Sequence, residues 1–177
     1  VLLQLMRFLY NCFIYAYKAL INLASLFNSK AKFWTDGRKN IFEKLEKQIK
    51  QGEKIIWFHC ASLGEFEQGR PLIERLKTQD SRLKILLTFF SPSGYEIRKN
   101  YEGADYIFYL PADTPANAKK FISITKPHLA FFIKYEFWFN YLSELKKNNT
   151  PTFLVSGILR NDHYFFKWYG AYFKKQL

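Results

Sequence analysis

The stretch IIWFHCASLGE, residues 55–65, decides the fold of this chain. It begins with an apolar run of the length of a buried strand and continues through small residues that suit a tight turn. An amphipathic segment, Glu65–Gln79, follows directly. Strand, turn and helix in this order are typical of a βα junction in a parallel sheet. Because open parallel sheets bind their ligands at the edge formed by such junctions, the stretch also predicts where a functional site lies.

The alternation of apolar runs and amphipathic segments continues along the chain. Apolar runs predict five strands, at Lys54–His59, Leu83–Phe89, Asp105–Tyr109, His128–Ile133 and Thr152–Val155. Amphipathic segments predict helices at Arg38–Lys50, Glu65–Gln79, Ser93–Tyr101, Thr114–Thr125, Trp138–Asn148 and Tyr164–Lys175. Two helix starts carry a proline: Asp113 precedes Thr114-Pro115, and Ser91 and Ser93 flank Pro92. Strands that alternate with helices predict an α/β fold, a Rossmann-like parallel sheet with helices on both faces.

Residues 1–27, VLLQLMRFLYNCFIYAYKALINLASLF, form the most hydrophobic segment of the chain. Polar residues interrupt it at positions 4, 7, 11, 18 and 22, a helical spacing that puts them on one face. The uninterrupted apolar run is shorter than the roughly 20 residues of a spanning helix. We expect an amphipathic membrane-associating helix that lies in the plane of the membrane, with a single-pass anchor or a helix packed on the domain as alternatives. No small-residue cleavage site follows, which argues against a cleaved signal peptide.

The predicted domain organisation has three parts. Residues 1–27 are the membrane-associating helix, and residues 28–52 are a linker and a helix, in which the polar residues 28–37 form the linker. Residues 53–177 form the Rossmann-like domain. The sequence shows no internal repeat and no low-complexity segment.

The charge of the chain is strongly positive, with 27 Lys and Arg against 15 Asp and Glu and a net charge of +12. Residues 1–50 hold nine basic residues and three acidic ones, next to the most hydrophobic segment. That combination suits an anionic membrane surface better than nucleic acid. Nucleic-acid binding is not expected, because no zinc-finger spacing, RNP-like motif or basic recognition helix is present. The two cysteines, Cys12 and Cys60, have no metal-ligand spacing and indicate a reducing compartment.

Glu65 is the first candidate for a chemical role. A carboxylate in the first turn of a helix is favoured in its ionised form by the helix dipole, which suits a general base. Ser62 lies in the same turn, and Gly64 allows close approach of a ligand to the backbone. The alternative is that Glu65 is an ordinary helix-start residue. His59 is a second candidate base, with a hydrogen-bonded core histidine as its alternative.

Three further junctions place polar residues at the same predicted edge. Ser91, Ser93 and Gly94 could hold an anion at a helix start, although such a sequence is also an ordinary turn and cap. Residues 110–113 (LPAD) are most simply a helix cap. Residues 134–138 (KYEFW) combine charged and aromatic side chains, and a surface ion pair is the alternative there. The sequence has no Walker A loop and no GxGxxG, HExxH or GxSxG motif.

Together the four junctions resemble the Kdo transferase family (3-deoxy-D-manno-octulosonic acid transferase, lipid A-specific). Residues 59–65 (HCASLGE) look like the family's His-x-x-Ser-x-Gly-Glu motif, and residues 88–94 (TFFSPSG) are similar to its Thr-x-Thr-Pro-Thr-Gly turn, with Ser for Thr. Residues 109–115 (YLPADTP) resemble its Tyr-Leu-Pro-x-Asp-x-Pro stretch, and residues 136–140 (EFWFN) its Glu-Leu-Trp-Pro-Asn motif. The hydrophobic N-terminal segment and Trp34–Lys39 also fit, so the resemblance covers nearly the whole chain.

The resemblance implies a GT-B glycosyltransferase with two Rossmann-like domains, of which this chain looks like the N-terminal, acceptor-binding domain without the C-terminal, donor-binding one. It implies an inverting transfer of Kdo from CMP-Kdo to lipid IV(A) in lipopolysaccharide biosynthesis, without metal or cofactor. The implied location is the cytoplasmic face of the cell inner membrane. Glu65 corresponds to the family's proposed general base. The predicted substrate-binding residues are Ser62, Gly64, Ser91, Ser93, Gly94, Glu136 and Arg160.

The chain departs from the family's pattern at two places. Residues 134–138 lack one acidic residue of the family's Glu-Thr-Glu-Leu-Trp, and the arginine of its Ala-Arg-Leu-Ser motif is displaced by two positions to Arg160. Without a donor-binding domain, we expect these 177 residues alone to have no transferase activity. Two alternatives for the function are a non-catalytic Rossmann-like module that docks a membrane or a partner, and another GT-B enzyme with a lipid-linked acceptor.

Overall fold

A computed structural model describes residues 2–80, 82–134 and 137–157 of the chain, and within these ranges the side chains from residue 4 onward. The helices in these ranges are α1 (Leu2–Ala24), α2 (Ser29–Asp36), α3 (Ile41–Gln48), α4 (Leu63–Gln79), α5 (Pro92–Arg98), α6 (Pro115–Thr125) and α7 (Phe139–Lys147). The strands are β1 (Lys54–Cys60), β2 (Leu83–Phe89), β3 (Tyr106–Tyr109), β4 (Leu129–Ile133) and β5 (Thr152–Val155).

The five strands form one parallel sheet in the order β3-β2-β1-β4-β5. The central strand β1 pairs with β2 on one side and with β4 on the other, so that His59 lies opposite both Thr88 and Phe132. The chain reverses its direction of travel across the sheet between β3 and β4. In open α/β sheets such a switch point, here at the ends of β1 and β4, is where ligands bind.

Each face of the sheet is covered by helices. Ile55 and Trp57 of β1 belong to a buried cluster with residues of α3, α6 and α7, whereas Ile56 and Phe58 pack with α4 on the opposite face. Burial on both faces explains why β1 is an almost continuous apolar run instead of an alternating one. The predicted parallel sheet with helices on both faces is confirmed.

The predicted strands agree with the structure to within one residue at each end, and β2 and β5 agree at both ends. The prediction of a polar linker at residues 28–37 is wrong, since α2 occupies most of that segment. Asn28 caps α2 by accepting a hydrogen bond from the backbone N–H of Ala31 at 3.1 Å. Ala31 and Trp34 lie on one narrow face of the helix and are buried in the core. The helix predicted at residues 164–175 lies outside the described residues.

Helix α1 has three faces. Tyr10, Ile14 and Tyr17 point towards the domain, and Ile14 is buried. The polar residues that the sequence placed on one face form a strip along the helix. The third face exposes large apolar side chains to solvent: Leu5, Phe8, Leu9, Phe13, Leu20 and Leu23. Within the described part of the chain, no helix has the length and apolar character needed to cross a bilayer.

Candidate functional site

The four predicted junctions lie along one edge of the sheet, which we call the carboxyl edge (residues 60–65, 89–94, 109–114 and the described part of 133–140). The turns after β1 and β2 are joined directly, because the backbone N–H of Ser91 donates to the carbonyl oxygen of Ala61 at 2.8 Å. Gly94 allows this approach. A Cβ atom on Gly94 would lie 2.4 Å from the Phe89 ring and 3.1 Å from the carbonyl carbon of Ser62. The structure thus gives Gly94 a packing role between two turns.

Glu65 lies at the third position of α4, and Ser62 is the N-cap residue of that helix. Oε2 of Glu65 accepts a hydrogen bond from the backbone N–H of Ser62 at 3.1 Å, which makes the pair a capping box. This bond uses one of about four acceptor positions of a carboxylate. The interpretation of Glu65 as a helix-start residue is therefore confirmed, and its role as a general base stays a prediction. Glu65 stabilises the start of the helix, and its half-buried carboxylate lies at the carboxyl edge.

Gly64 borders open space. A Cβ atom added to it would meet no atom within 4 Å, and the residue is exposed. The packing of the domain therefore does not require glycine at this position. Room for a ligand beside the backbone exists here, and the role of Gly64 in binding stays a prediction.

The serines after β2 form a local cap. The hydroxyl of Ser91 accepts a hydrogen bond from the N–H of Ser93 at 3.3 Å, and the two hydroxyl oxygens lie 2.9 Å apart. Ser93 is exposed and Ser91 is half-buried at the start of the short helix α5. The alternative reading of this stretch, an ordinary turn and cap, is confirmed, and anion binding by these residues stays a prediction.

His59 holds the end of β1 against its neighbours. The Nε1–H group of Trp138 donates to His59 Nε2 at 3.0 Å, so His59 Nε2 is an acceptor and its Nδ1 carries the hydrogen. Nδ1 lies 2.9 Å from the hydroxyl of Thr88, which also accepts from Trp57 Nε1 at 2.8 Å. Both ring nitrogens of His59 are therefore engaged in buried bonds. Of its two interpretations, the hydrogen-bonded core residue is the one that the structure supports.

Asp113 does not cap the helix that follows it in the sequence. Thr114 caps α6, whereas the carboxylate of Asp113 accepts hydrogen bonds from the backbone N–H groups of Asn140 at 3.1 Å and Tyr141 at 3.0 Å. These are N–H groups in the first turn of α7, which have no partner within their own helix. The hydroxyl of Tyr10 in α1 donates to the same carboxylate at 2.6 Å. Asp113 thus joins α1, α7 and the turn after β3.

Burial dominates the electrostatics of Asp113, whose side chain is 1% exposed. Desolvation raises its pKa from an ordinary 3.8 to about 6, although three donated hydrogen bonds act in the opposite direction. Asn140 strengthens the same junction, because its amide nitrogen donates to the carbonyl oxygen of Asp113 at 2.6 Å and to Asn11 Oδ1 at 2.9 Å. These bonds attach the polar strip of α1 to the carboxyl edge.

Arg38 connects the turns after β2 and β3 through hydrogen bonds. Its Nη2 donates to the carbonyl oxygen of Phe90 and its Nε to that of Leu110, each at 2.8 Å. The guanidinium lies 3.8 Å from the centre of the Trp34 ring, close enough for a cation–π interaction. Burial lowers the pKa of Arg38 to about 9, and neighbouring tyrosines raise it only in part. The side chain therefore remains charged at neutral pH.

An apolar cavity of about 180 Å³ lies between α1 and the carboxyl edge. Its walls include Phe13 and Ile14 of α1, and Phe90 and Trp138 from the turns after β2 and β4. The rings of Phe90 and Trp138 are 4.6 Å apart and form the floor at the edge. Helix α1 therefore forms one wall of an apolar cavity at the carboxyl edge, where Glu65 also lies.

Two predicted substrate-binding residues, Glu136 and Arg160, lie outside the described residues. In residues 2–80, 82–134 and 137–157, no three His, Cys, Asp or Glu side chains converge as a metal site requires. A reaction without metal stays a prediction.

The sequence reasoning missed four residues that organise this edge: Arg38, Asp113, Asn140 and Trp138. All four lie within stretches that the resemblance covers, but their partners are distant in the sequence. The separation is 72 residues for Arg38 and Leu110, and 79 for His59 and Trp138. No periodicity or local spacing reveals pairs of that kind.

Comparisons with known proteins show which sequences this chain is similar to. Residues 37–176 match a family model described as 3-deoxy-D-manno-octulosonic-acid transferase (kdotransferase). The chain is similar to the 3-deoxy-D-manno-octulosonic acid transferase of Haemophilus influenzae, with 30% identity over 59% of this chain and 25% of that protein. It is similar to the enzyme of the same name from Aquifex aeolicus, with 34% identity over 56% of this chain and 27% of that protein.

A further relative has a broader name. The bifunctional glycosyltransferase/methyltransferase of Fusobacterium nucleatum is 29% identical over 63% of this chain and 18% of that protein. The matched part of this chain therefore spans about a quarter or less of the length of these curated relatives.

Proposed function

Since this chain belongs to the 3-deoxy-D-manno-octulosonic-acid transferase (kdotransferase) family, we propose that it is the acceptor-binding half of a GT-B glycosyltransferase. The proposed reaction transfers Kdo from CMP-Kdo to lipid IV(A) in lipopolysaccharide biosynthesis. One observation supports the proposal that this half of the enzyme contributes a catalytic residue. The carboxylate of Glu65 lies at the start of α4, next to open space at Gly64, at the switch point of the sheet.

The proposed chemistry is an inverting displacement with Glu65 as general base. The hydroxyl oxygen of the acceptor attacks the anomeric carbon of Kdo while the bond from that carbon to CMP breaks, and CMP leaves with the bonding electrons. The carboxylate of Glu65 takes the proton of the attacking hydroxyl. The N–H group of Ser62 donates to this carboxylate, which lies in the first turn of α4, near the positive end of the helix dipole.

The surroundings of the edge suit an amphiphilic acceptor. The cavity of about 180 Å³ between α1 and the carboxyl edge offers an apolar recess for part of an acyl chain. The exposed apolar face of α1 continues from this recess, and the excess of basic residues in positions 1–50 complements an anionic membrane. We place the proposed enzyme at the cytoplasmic face of the cell inner membrane, with α1 in the membrane surface.

The change Glu65→Gln in the full-length protein tests the base. Glutamine keeps an oxygen that can accept the capping bond from Ser62, but it cannot take a proton at neutral pH. We expect kcat for transfer from CMP-Kdo to lipid IV(A) to fall by about 10²–10⁴-fold, the range for loss of a general base. Glu67→Gln, which neutralises a carboxylate two residues further along α4, is the matched control and keeps its rate.

The outcome separates the proposed functions. If Glu65→Gln kept a rate near that of the unchanged enzyme, Glu65 would not be the base. If the unchanged full-length protein bound vesicles but transferred no Kdo to any lipid acceptor, the docking-module alternative would replace the enzyme.

A second experiment tests the membrane surface. Deletion of α1 is a poor choice, because Tyr10 and Ile14 pack against the domain. Replacing Leu20 and Leu23 by serine changes only the outward face, since these side chains are 66% and 61% exposed. We expect partitioning onto phosphatidylethanolamine–phosphatidylglycerol vesicles to fall about tenfold, as two partly inserted leucines are lost.

The matched control replaces Phe33 and Ile97, which are also exposed but lie on α2 and α5. Equal loss of vesicle binding in both double variants, or no loss in either, would remove α1 as the membrane contact. Unchanged far-UV circular dichroism in each variant shows that the fold is intact.

A further inference from the structure

A second cavity, of about 370 Å³, lies between α1, the segment that joins α2 to α3, the turn after β3 and α6. None of its lining residues belongs to the turn that carries Glu65. Among the described residues, four basic side chains line it, and Glu43 is the only acidic one. The four are Lys18 of α1, Arg38 and Lys39 of the joining segment, and Lys120 of α6. We call this cavity the basic pocket.

The positive charge of the basic pocket is poorly compensated within the described residues. Arg38 donates only to backbone carbonyl oxygens, and Lys18 has no ion pair there. Lys39 pairs with Asp36 at 2.6 Å and Lys120 with Glu46 at 3.2 Å, but these side chains are exposed. Exposed pairs are weak, so both ammonium groups can turn towards a ligand. Three of the five N–H groups of Arg38 are used, which leaves two for a further acceptor.

The basic pocket also contains a donor without an acceptor. The Nε1–H group of Trp34 is buried and has no hydrogen-bond partner among the described residues, and the whole residue is 4% exposed. Buried N–H groups in native proteins almost always have a partner. Trp34 is a wall of the pocket, and its ring stacks on the guanidinium of Arg38. A ligand oxygen that reached this group from the pocket would supply the missing acceptor.

We propose that the basic pocket binds the phosphate group of a phosphomonoester. Such a group carries close to two negative charges and three terminal oxygens, each able to accept several hydrogen bonds. Lys18, Trp34 and Lys120 approach the pocket from three different helices, a spread of donors that suits a tetrahedral anion better than a planar carboxylate. Charge-assisted bonds of this kind are about twice as strong as neutral ones.

The position of the pocket indicates which phosphate it receives. Lys18 and Asn22 belong to the polar strip of α1, and Leu20 and Leu23 of the exposed apolar face follow on the same helix. A phosphate at the head of an amphiphile beside α1 would reach the pocket from the polar strip. The lipid source rests on the membrane placement proposed above, whereas binding of phosphate by the pocket does not.

The test uses the full-length protein with ¹⁵N-labelled tryptophan. The indole N–H resonance of Trp34, assigned by its loss in Trp34→Phe, is followed during titration with inorganic phosphate. In a second arm, sedimentation with phosphatidylcholine vesicles that contain phosphatidic acid, a phosphomonoester, is compared with vesicles that contain phosphatidylglycerol, a diester. Both arms are repeated with the double change Lys18→Gln and Lys120→Gln, and with the matched control Lys30→Gln and Lys119→Gln.

We expect a saturable shift of the Trp34 resonance with phosphate, with affinity weakened about tenfold or more in the pocket variant and retained in the control. A preference for phosphatidic acid that the pocket variant loses assigns the site to a lipid phosphate. A shift with phosphate but equal sedimentation on both vesicle types assigns it to a free phosphate. The proposal is overturned if phosphate produces no saturable shift, or if both double variants respond alike.

Discussion

Two acidic residues lie at the same edge of one sheet, each just after a strand and just before a helix, and they have opposite surroundings. Glu65 follows β1, is half-buried beside open space, and caps its own helix through Ser62 three residues away. Asp113 follows β3, is 1% exposed, and caps α7, whose bonded N–H groups are 27 and 28 residues further along the chain. The first carboxylate is partly exposed, whereas the second is enclosed by the protein.

The difference shows how one local pattern serves two purposes. A carboxylate that caps its own helix needs nothing else from the fold, so one side of it can face a ligand. A carboxylate that caps a distant helix fixes the relative position of three elements and must be shielded to do so. The edge therefore combines a half-buried carboxylate on the turn after β1 with a junction after β3 that holds α1 and α7 in place.

The largest expected effect on stability comes from Asp113→Ala. This change leaves the N–H groups of Asn140 and Tyr141 and the hydroxyl of Tyr10 without their acceptor. An unpaired buried donor costs about 1–3 kcal/mol, and the hydroxyl can rotate, so we expect a loss of about 3 kcal/mol in the free energy of unfolding. Urea unfolding measures it. A loss below about 1 kcal/mol would show that the junction after β3 is no more than a local cap.

A second prediction concerns pH and uses Asp113→Asn, which cannot ionise. The pKa of Asp113 is raised from 3.8 to about 6 in the folded state, so the folded protein binds the proton more tightly than the unfolded chain. The contribution to stability is therefore present below about pH 4 and is lost as the pH rises through about 6. We expect the stability of the unchanged protein, relative to Asp113→Asn, to fall by up to about 3 kcal/mol over that range.

Urea unfolding of the unchanged protein and of Asp113→Asn at several pH values between 4 and 7 gives the difference directly. Two parallel curves would show that ionisation of Asp113 is not linked to folding. A difference that grew in the opposite direction would mean that the three donated hydrogen bonds outweigh burial.

The two carboxylates also mark what a sequence can reveal. The position of every strand was predictable, because each strand is a mainly apolar run between turn residues. In β1 and β2 this pattern reflects burial on both faces of the sheet. The capping role of Glu65 was predictable for the same kind of reason, since Ser62 and Glu65 lie within one turn. The role of Asp113 was not, because its choice of α7 over α6 depends on how the turn after β3 packs against a helix far along the chain.

Helix α1 is a second example of a feature that the sequence predicts only in part. Its helical spacing was visible in the sequence, but the spacing could not say which apolar residues meet the domain. Ile14 is buried while Phe13 beside it is 64% exposed, a division set by the turns after β2, β3 and β4. Helix α2 was missed because only Ala31 and Trp34 of its eight residues are buried, too few for a recognisable pattern. Tertiary contacts decide whether a helix as short as α2 forms and which residues of a three-faced helix such as α1 are buried.

The smallest expected effect on stability concerns Glu65. It separates the contribution of this residue to the free energy of unfolding from its proposed role in the reaction. Glu65→Ala removes the capping bond to Ser62 and should lower the free energy of unfolding by about 1 kcal/mol, whereas Glu65→Gln keeps an acceptor and should change it by less than about 0.5 kcal/mol. If both variants lost activity alike while only Glu65→Ala lost stability, the carboxylate would be needed for the reaction independently of the cap. If activity followed stability instead, with Glu65→Gln close to the unchanged enzyme in both, Glu65 would resemble Asp113, a carboxylate that builds the edge without taking part in its chemistry.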